Sequence, residues 1–156
     1  MREGEGPHTS SLPQRYPVST TFRVDYADTD GQGRVFYPNY FRFFDRGRFA
    51  YWVRLGLSAS EIKQIEDDTV MVEVHCTYRA PASFYDAISV WTRVARVGRS
   101  SMRMEFAIRN DSTANLMAEG YATLVNVNLA TNHAAPFQAE WKARLAALEG
   151  RLVDAE

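Results

Sequence analysis

Between Pro38 and Leu55 the chain carries Tyr40, Phe41, Phe43, Phe44, Phe49, Trp52, Val53 and Leu55. At helical spacing these side chains cover most of the circumference, and only Arg42, Asp45, Arg46 and Arg54 form a narrow polar stripe. A helix this apolar has to be enclosed by other structure. Pro38 suits the first helical turn, where its missing N–H costs nothing, and Gly56 is the expected C-terminal stop. Gly47 lowers helix propensity from inside the pattern, so a close backbone approach is expected there.

The rest of the chain supplies strands to do the enclosing. Ser19 to Ala27 alternates Phe22, Val24 and Tyr26 with Arg23, Asp25 and Ala27, the period of a half-buried strand. Four more candidates follow the helix: Val70–Tyr78, Ala87–Val97, Met102–Arg109 and Tyr121–Leu129. Val97-Gly98-Arg99-Ser100 and the run Asn110–Asn115 read as hairpin links, too short for parallel crossovers. Ser58 and Glu61 form a capping-box pattern opening a short second helix. Gln138 to Leu148, with Trp141, Leu145 and Leu148 on one face, predicts a terminal amphipathic helix. The expected architecture is α+β, a curved antiparallel sheet of about five strands wrapped around one long central helix. One such unit leaves a sheet edge open, so pairing with a second copy is expected.

The 156 residues make one folding unit. Residues 1–18, rich in Gly, Pro, Ser and charge, read as a disordered leader in which His8 is inert; 19–135 form the domain, and 136–156 a C-terminal helix and tail. Eighteen Lys and Arg against nineteen Asp and Glu give a net charge of −1, which argues against nucleic acid or an anionic membrane as the main partner. The single cysteine, Cys76, excludes an internal disulfide framework. No apolar run approaches the ~18 residues of a membrane helix, and Met1–Pro17 has no apolar signal core, so a cytoplasmic location is expected.

The chemistry concentrates in Tyr26–Tyr40, YADTDGQGRVFYPNY, between the first strand and the helix. Asp30 before Gly31 is either a turn residue or a reactive carboxylate. Asp28 has the same two readings, with a loop-capping role favoured. Gly31 and Gly33 allow positive φ and close approach of a ligand. Amides at the helix start lack intrahelical partners and could hold an oxyanion, unless they are merely capped. On Val70–Tyr78, Glu73 is either near this loop or a solvated glutamate, and His75 and Cys76 read as packing residues with no metal-ligand spacing. Arg96, Arg99 and Ser100 are either turn charges or a phosphate site.

The run Asp28-Thr29-Asp30, then Gly33 and Val35-Phe36-Tyr37-Pro38-Asn39-Tyr40, resembles the hot-dog-fold acyl-CoA thioesterases of the 4-hydroxybenzoyl-CoA thioesterase family. Tyr78-Arg79-Ala80-Pro81-Ala82 with Asp86, and Gly98-Arg99-Ser100-Ser101, resemble two further motifs of that family. The likeness runs from about Thr20 to Leu129. It implies the hot-dog fold, hydrolysis of an acyl-CoA thioester without cofactor or metal, and a homodimer or homotetramer with the site at a subunit interface. Asp30 would be general base or nucleophile. The Tyr37 N–H, with Phe36 or Gly33 nearby, would be the oxyanion donor, and Glu73 would orient water or touch the acyl group from the neighbouring subunit. Gly33, Arg96, Arg99 and Ser100 would contact substrate and coenzyme A. Some relatives carry His where Tyr37 stands, and many a small residue where Gln32 stands. A thioesterase acting on carrier-protein substrates and a non-catalytic acyl-thioester binding module remain alternatives.

Overall fold

A computed structural model describes residues 11–151 and 153. In chain order the elements are α1 (Leu12–Arg15), β1 (Val18–Arg23), α2 (Asn39–Arg54), α3 (Ala59–Asp68), β2 (Thr69–Tyr78), β3 (Ala87–Val97), β4 (Ser101–Asn110), β5 (Asn115–Asn128), β6 (His133–Ala134) and α4 (Ala139–Glu149). The sheet order is β1-β3-β4-β5-β2, every pairing antiparallel, with β6 adding to the end of β5. The two short links close the β3–β4 and β4–β5 hairpins. β2 instead lies beyond β5, with Cys76 opposite Gly120.

The sheet curls around α2 as its apolarity requires. Tyr40, Phe43, Phe44, Tyr51 and Trp52 are buried, and Phe44 stacks on Phe106 of β4 with ring centroids 4.6 Å apart. Gly47 is where the helix meets the sheet: a Cβ there would lie 2.4 Å from Thr92 Oγ1 and 2.7 Å from Val90 Cγ1. Enclosure is less complete than the pattern predicts. Phe49 and Val53 continue the Arg42–Arg46 stripe and stay exposed, whereas Arg48 is buried. Its Nε and Nη2 each donate to a Glu66 carboxylate oxygen at 3.0 Å, and Trp52 Nε1 donates to the same group at 2.9 Å, pinning α3 to α2. α3 begins at the expected capping box, Ser58 Oγ accepting from Glu61 N–H and the Glu61 carboxylate from Ser58 N–H.

Three boundaries differ from expectation. β1 ends at Arg23; Tyr26 falls in a 3-10 turn, Tyr26–Asp28, and is 78% exposed. β5 starts six residues early, because Asn115–Gly120 continues the ladder with β4. The leader, as far as it is described, is ordered: Leu12–Arg15 is helical, and Leu12 and Tyr16 bury themselves against Trp91, Ala107 and Leu116 on the outer face of the sheet. His8 and the rest of residues 1–10 lie outside the described residues. At the other end α4 docks on the core through Leu145, with Trp141 and Leu148 beside it. Among the described residues no helix is long and apolar enough to cross a membrane.

β2 is an open edge. Val70, Met71, Val72, Val74 and Tyr78 are 38–59% exposed there, a display of apolar side chains and unpaired backbone that isolated strands avoid.

Candidate active site

The loop between β1 and α2 is a tight turn with closed arms. Thr29 bridges to Val35 and Arg34 to Ser83, and Asp30 N–H donates to Arg34 O at 2.7 Å. Gly33 takes the reversal at φ +75°, where an added Cβ would meet nothing; the requirement is the left-handed backbone itself. Gly31 has no such φ, contrary to expectation.

The two aspartates divide as their surroundings dictate. Asp28 is buried and turned inward: its Oδ2 accepts from Asp25 N–H at 3.1 Å, and its carbonyl accepts from Phe36 N–H at 2.9 Å and Asn39 Nδ2 at 3.0 Å. It caps the loop. Arg42, 3.7 Å from Asp28 and 70% exposed, adds little. Asp30 is only partly buried, and its Oδ1 accepts from Gln32 N–H at 2.7 Å and Arg34 N–H at 3.3 Å. Its Oδ2 has no hydrogen bond from any described residue.

The amides at the helix entry are nearly all occupied. Phe36 N–H goes to Asp28 O and Gly33 N–H to Asp30 O; Asn39, Tyr40 and Phe41 donate to Phe36, Tyr37 and Pro38 carbonyls. Pro38 has no N–H to offer. Tyr37 N–H alone in this stretch has no partner among the described residues. It sits at the positive end of α2, where partial charge favours an anion. The Tyr37 carbonyl is held from across the chain by the Tyr78 hydroxyl, which donates to it at 2.9 Å. Sequence reading placed Tyr78 in a motif without giving it a role. Its only local signal is a tyrosine closing a strand; the contact joins residues 41 apart in sequence.

A profile of the Thioesterase-like superfamily matches residues 24–145, most of the chain and all of this site. The chain belongs to that superfamily. It is a thioester hydrolase with the hot-dog fold, as the motifs from Asp28 to Tyr40 imply. Among solved structures it is similar to a thioesterase of Thermus thermophilus complexed with coenzyme A and Zn, at 27% identity over 88% of this chain and 98% of that one, with a TM-score of 0.77. A 1,4-dihydroxy-2-naphthoyl-CoA thioesterase from Synechocystis shares the fold with a TM-score of 0.75 at 21% identity, covering 85% and 97% of the two chains. A gentisyl-coenzyme A thioesterase matches at 26% identity over 79% and 98%, with a TM-score of 0.67.

Other residues expected in the thioesterase site lie away from the loop. Glu73 is on β2 but on its outer face: it pairs with Thr123, next to His75 opposite Tyr121, and its Oε1 accepts from Tyr121 O–H at 2.8 Å. Val74, Cys76 and Tyr78 take the inner face, toward α2. A bulge between Met71 and Glu73 fixes this phase. His75 stacks on the Tyr121 ring, also outside. The half-buried Cys76 thiol is pushed up to about 11, by burial first and against the Tyr78 hydrogen bond, so it is a neutral packing group near pH 7.

Arg96, Arg99 and Ser100 are at the far end of the same thioesterase subunit. The β3 end at Ala87 adjoins the loop through Asp86 O and Val24 N–H, and the other end opens into their hairpin. Eleven extended residues separate the two ends by roughly 30 Å. Ser100 O accepts from Asn126 N–H and Arg99 O from Phe137 N–H, which fixes the hairpin backbone while Arg96 and Arg99 project into solvent.

Proposed function

We propose that the protein hydrolyses an acyl-CoA thioester to the free acid and coenzyme A at the loop Asp28–Pro38. The observation that carries this reading is the pair of unclaimed groups on one closed loop: Asp30 Oδ2 and the Tyr37 N–H. A thioester carbonyl with its oxygen on the Tyr37 amide would present its carbon to the carboxylate side of the loop. As negative charge develops on that oxygen, the amide and the helix dipole stabilise it. Asp30 then acts in one of two ways. It takes a proton from a water whose oxygen bonds to the carbonyl carbon, or it bonds to that carbon itself, forming a mixed anhydride that water later cleaves. In both, the C–S bond breaks with its electron pair on sulfur, and the thiolate of coenzyme A acquires a proton. The acyl-CoA esters named for the Synechocystis and gentisyl enzymes, and the coenzyme A bound to the Thermus enzyme, support the substrate class. Glu73 has no part in this scheme.

The distant arginines enter through a second copy. β2 runs from the hairpin end at Thr69 to the loop end at Tyr78. Antiparallel pairing of two β2 edges reverses one copy, bringing its hairpin toward the other's loop. Arg96, Arg99 and Ser100 of each subunit would then hold the coenzyme A phosphates at the partner's site. The single cysteine suits a reducing cytoplasm. Val72 lies at the bulge and is 59% exposed. Val72→Lys places a charge on the edge, and sedimentation velocity at micromolar concentration should show dimer becoming monomer. A variant still dimeric would exclude β2 as the seam.

Thiol release across short, medium, long and aromatic acyl-CoAs tests the activity itself, with matched acyl-carrier-protein substrates alongside. Turnover on one acyl-CoA class is the expected result. Release from carrier substrates alone would move the activity to that class. Tight acyl-CoA binding with no release from either would make the protein a binding module.

A further inference from the structure

The direction of the amide assigned above to the oxyanion is set by the bonds on the two peptides that flank Tyr37. Residues Tyr37 and Pro38 precede α2, and the Tyr37 carbonyl has only one local donor, Tyr40 N–H, at 3.3 Å. The shorter bond comes from the Tyr78 hydroxyl at 2.9 Å. Tyr78 is the last residue of β2, on the strand's inner face. Its ring is clamped edge-on against Tyr40, with centroids 4.9 Å apart, and contacts the Tyr37 ring at 6.3 Å. Tyr40 is buried, so the clamp rests on the core rather than on another loop.

The carbonyl and the free N–H of Tyr37 flank one Cα. The Tyr37 N–H shares its peptide with the Phe36 carbonyl, which accepts from Asn39 N–H at 2.9 Å, and the Tyr78 bond holds the peptide after Tyr37, so the two bonds restrict φ and ψ at that residue. Between them the Tyr37 N–H keeps one direction. Donor direction matters because an oxyanion donor acts only within hydrogen-bond reach of the position the charged oxygen will take. Small displacements of such groups are costly in rate.

We propose that Tyr78 is a positioning residue for thioester hydrolysis, its hydroxyl holding the Tyr37 carbonyl so that the Tyr37 N–H stays aimed at the reacting oxygen. The proposal rests on the reading of Tyr37 given above. It also ties the site to the open edge, since the anchoring residue belongs to the strand on which a second copy would seat.

Tyr78→Phe keeps the ring clamp and removes the anchor. In the purified full chain, kcat should fall about tenfold, with KM, Tm and sedimentation unchanged. A coenzyme A analogue carrying a trifluoromethyl ketone in place of the thioester forms an oxyanion-bearing adduct, and its affinity should fall by a similar factor while that of coenzyme A stays constant. Tyr121→Phe removes a hydroxyl from the outer face of the same strand pair and should leave kcat unchanged. Loss of coenzyme A affinity together with kcat would mean a general loosening and overturn the proposal. So would an unchanged kcat in Tyr78→Phe where Asp30→Asn is inactive, which leaves the hydrolytic reading standing. A wild-type protein that releases no thiol from any substrate would overturn both.

Discussion

Asp30→Asn should lower kcat by about a thousandfold, within the range general-base or nucleophilic carboxylates supply, and leave the fold intact. Asparagine is nearly isosteric, and its Oδ1 can still accept from Gln32 N–H and Arg34 N–H, the two bonds by which Asp30 shapes the turn. What disappears is the negative charge at Oδ2, which has no structural partner among the described residues. Structure and reactivity therefore separate at this residue, unlike at Asp28, where the buried carboxylate also caps the 3-10 turn. Thiol release and thermal melting on the same preparations check both halves. Turnover within threefold of wild type would remove Asp30 from the reaction. If the variant is inactive, a single wild-type turnover in ¹⁸O-water separates the two chemical routes. A water activated by general base puts the label in the product acid; a mixed anhydride opened at the aspartyl carbon puts it in the protein.

The second large effect concerns stability. Gly120→Ala should destabilise the protein by about 3 kcal/mol or more, lowering Tm by roughly 10 °C. A Cβ on Gly120 would lie 2.1 Å from the His75 carbonyl oxygen and 2.7–2.8 Å from the Phe44 ring. Neither neighbour can give way freely. The His75 oxygen is β2 backbone, held in the ladder by the pairing of Cys76 with Gly120. Phe44 is buried from both sides, stacked on Phe106. The strain has to go into separating β2 from β5 or lifting α2 off the sheet. Chemical and thermal denaturation measure the loss; a Tm within about 2 °C of wild type would mean that β2 adjusts more freely than this packing implies.

Gly120 shows where sequence reading stops. Inside Asn115–Asn128 it is a lone glycine in a strand pattern, a sign of close approach but not of what approaches. Gly47 carried the same sign and was read from it, because the helix around it was unmistakable. Asp30, Gly33 and Tyr37 stand out as a group in the sequence because loop chemistry is compact: a carboxylate, a left-handed turn and a helix entry within eight residues. The face that Glu73 takes was not legible for the opposite reason. Val70–Tyr78 has apolar residues in both phases, so alternation cannot say which face is inner, and the bulge at Met71/Glu73 decides it. Arg96 and Arg99 were legible as a basic hairpin, but not as one at the far end of the subunit from Asp30.

The sequence by itself determined the long enclosed helix, the strands and hairpins around it, the α3 capping box and the turn that leads into the helix. Each rests on periodicity, turn chemistry or capping, forces that act between residues near in the chain. The tertiary structure decided that β2 joins β5, that Glu73 faces outward, that Gly120 admits no side chain and that Tyr78 reaches Tyr37 O. These depend on which distant segments share a ladder, in which register, and how the curled sheet closes on α2. Many pairings bury similar apolar area, and only the packed whole selects among them.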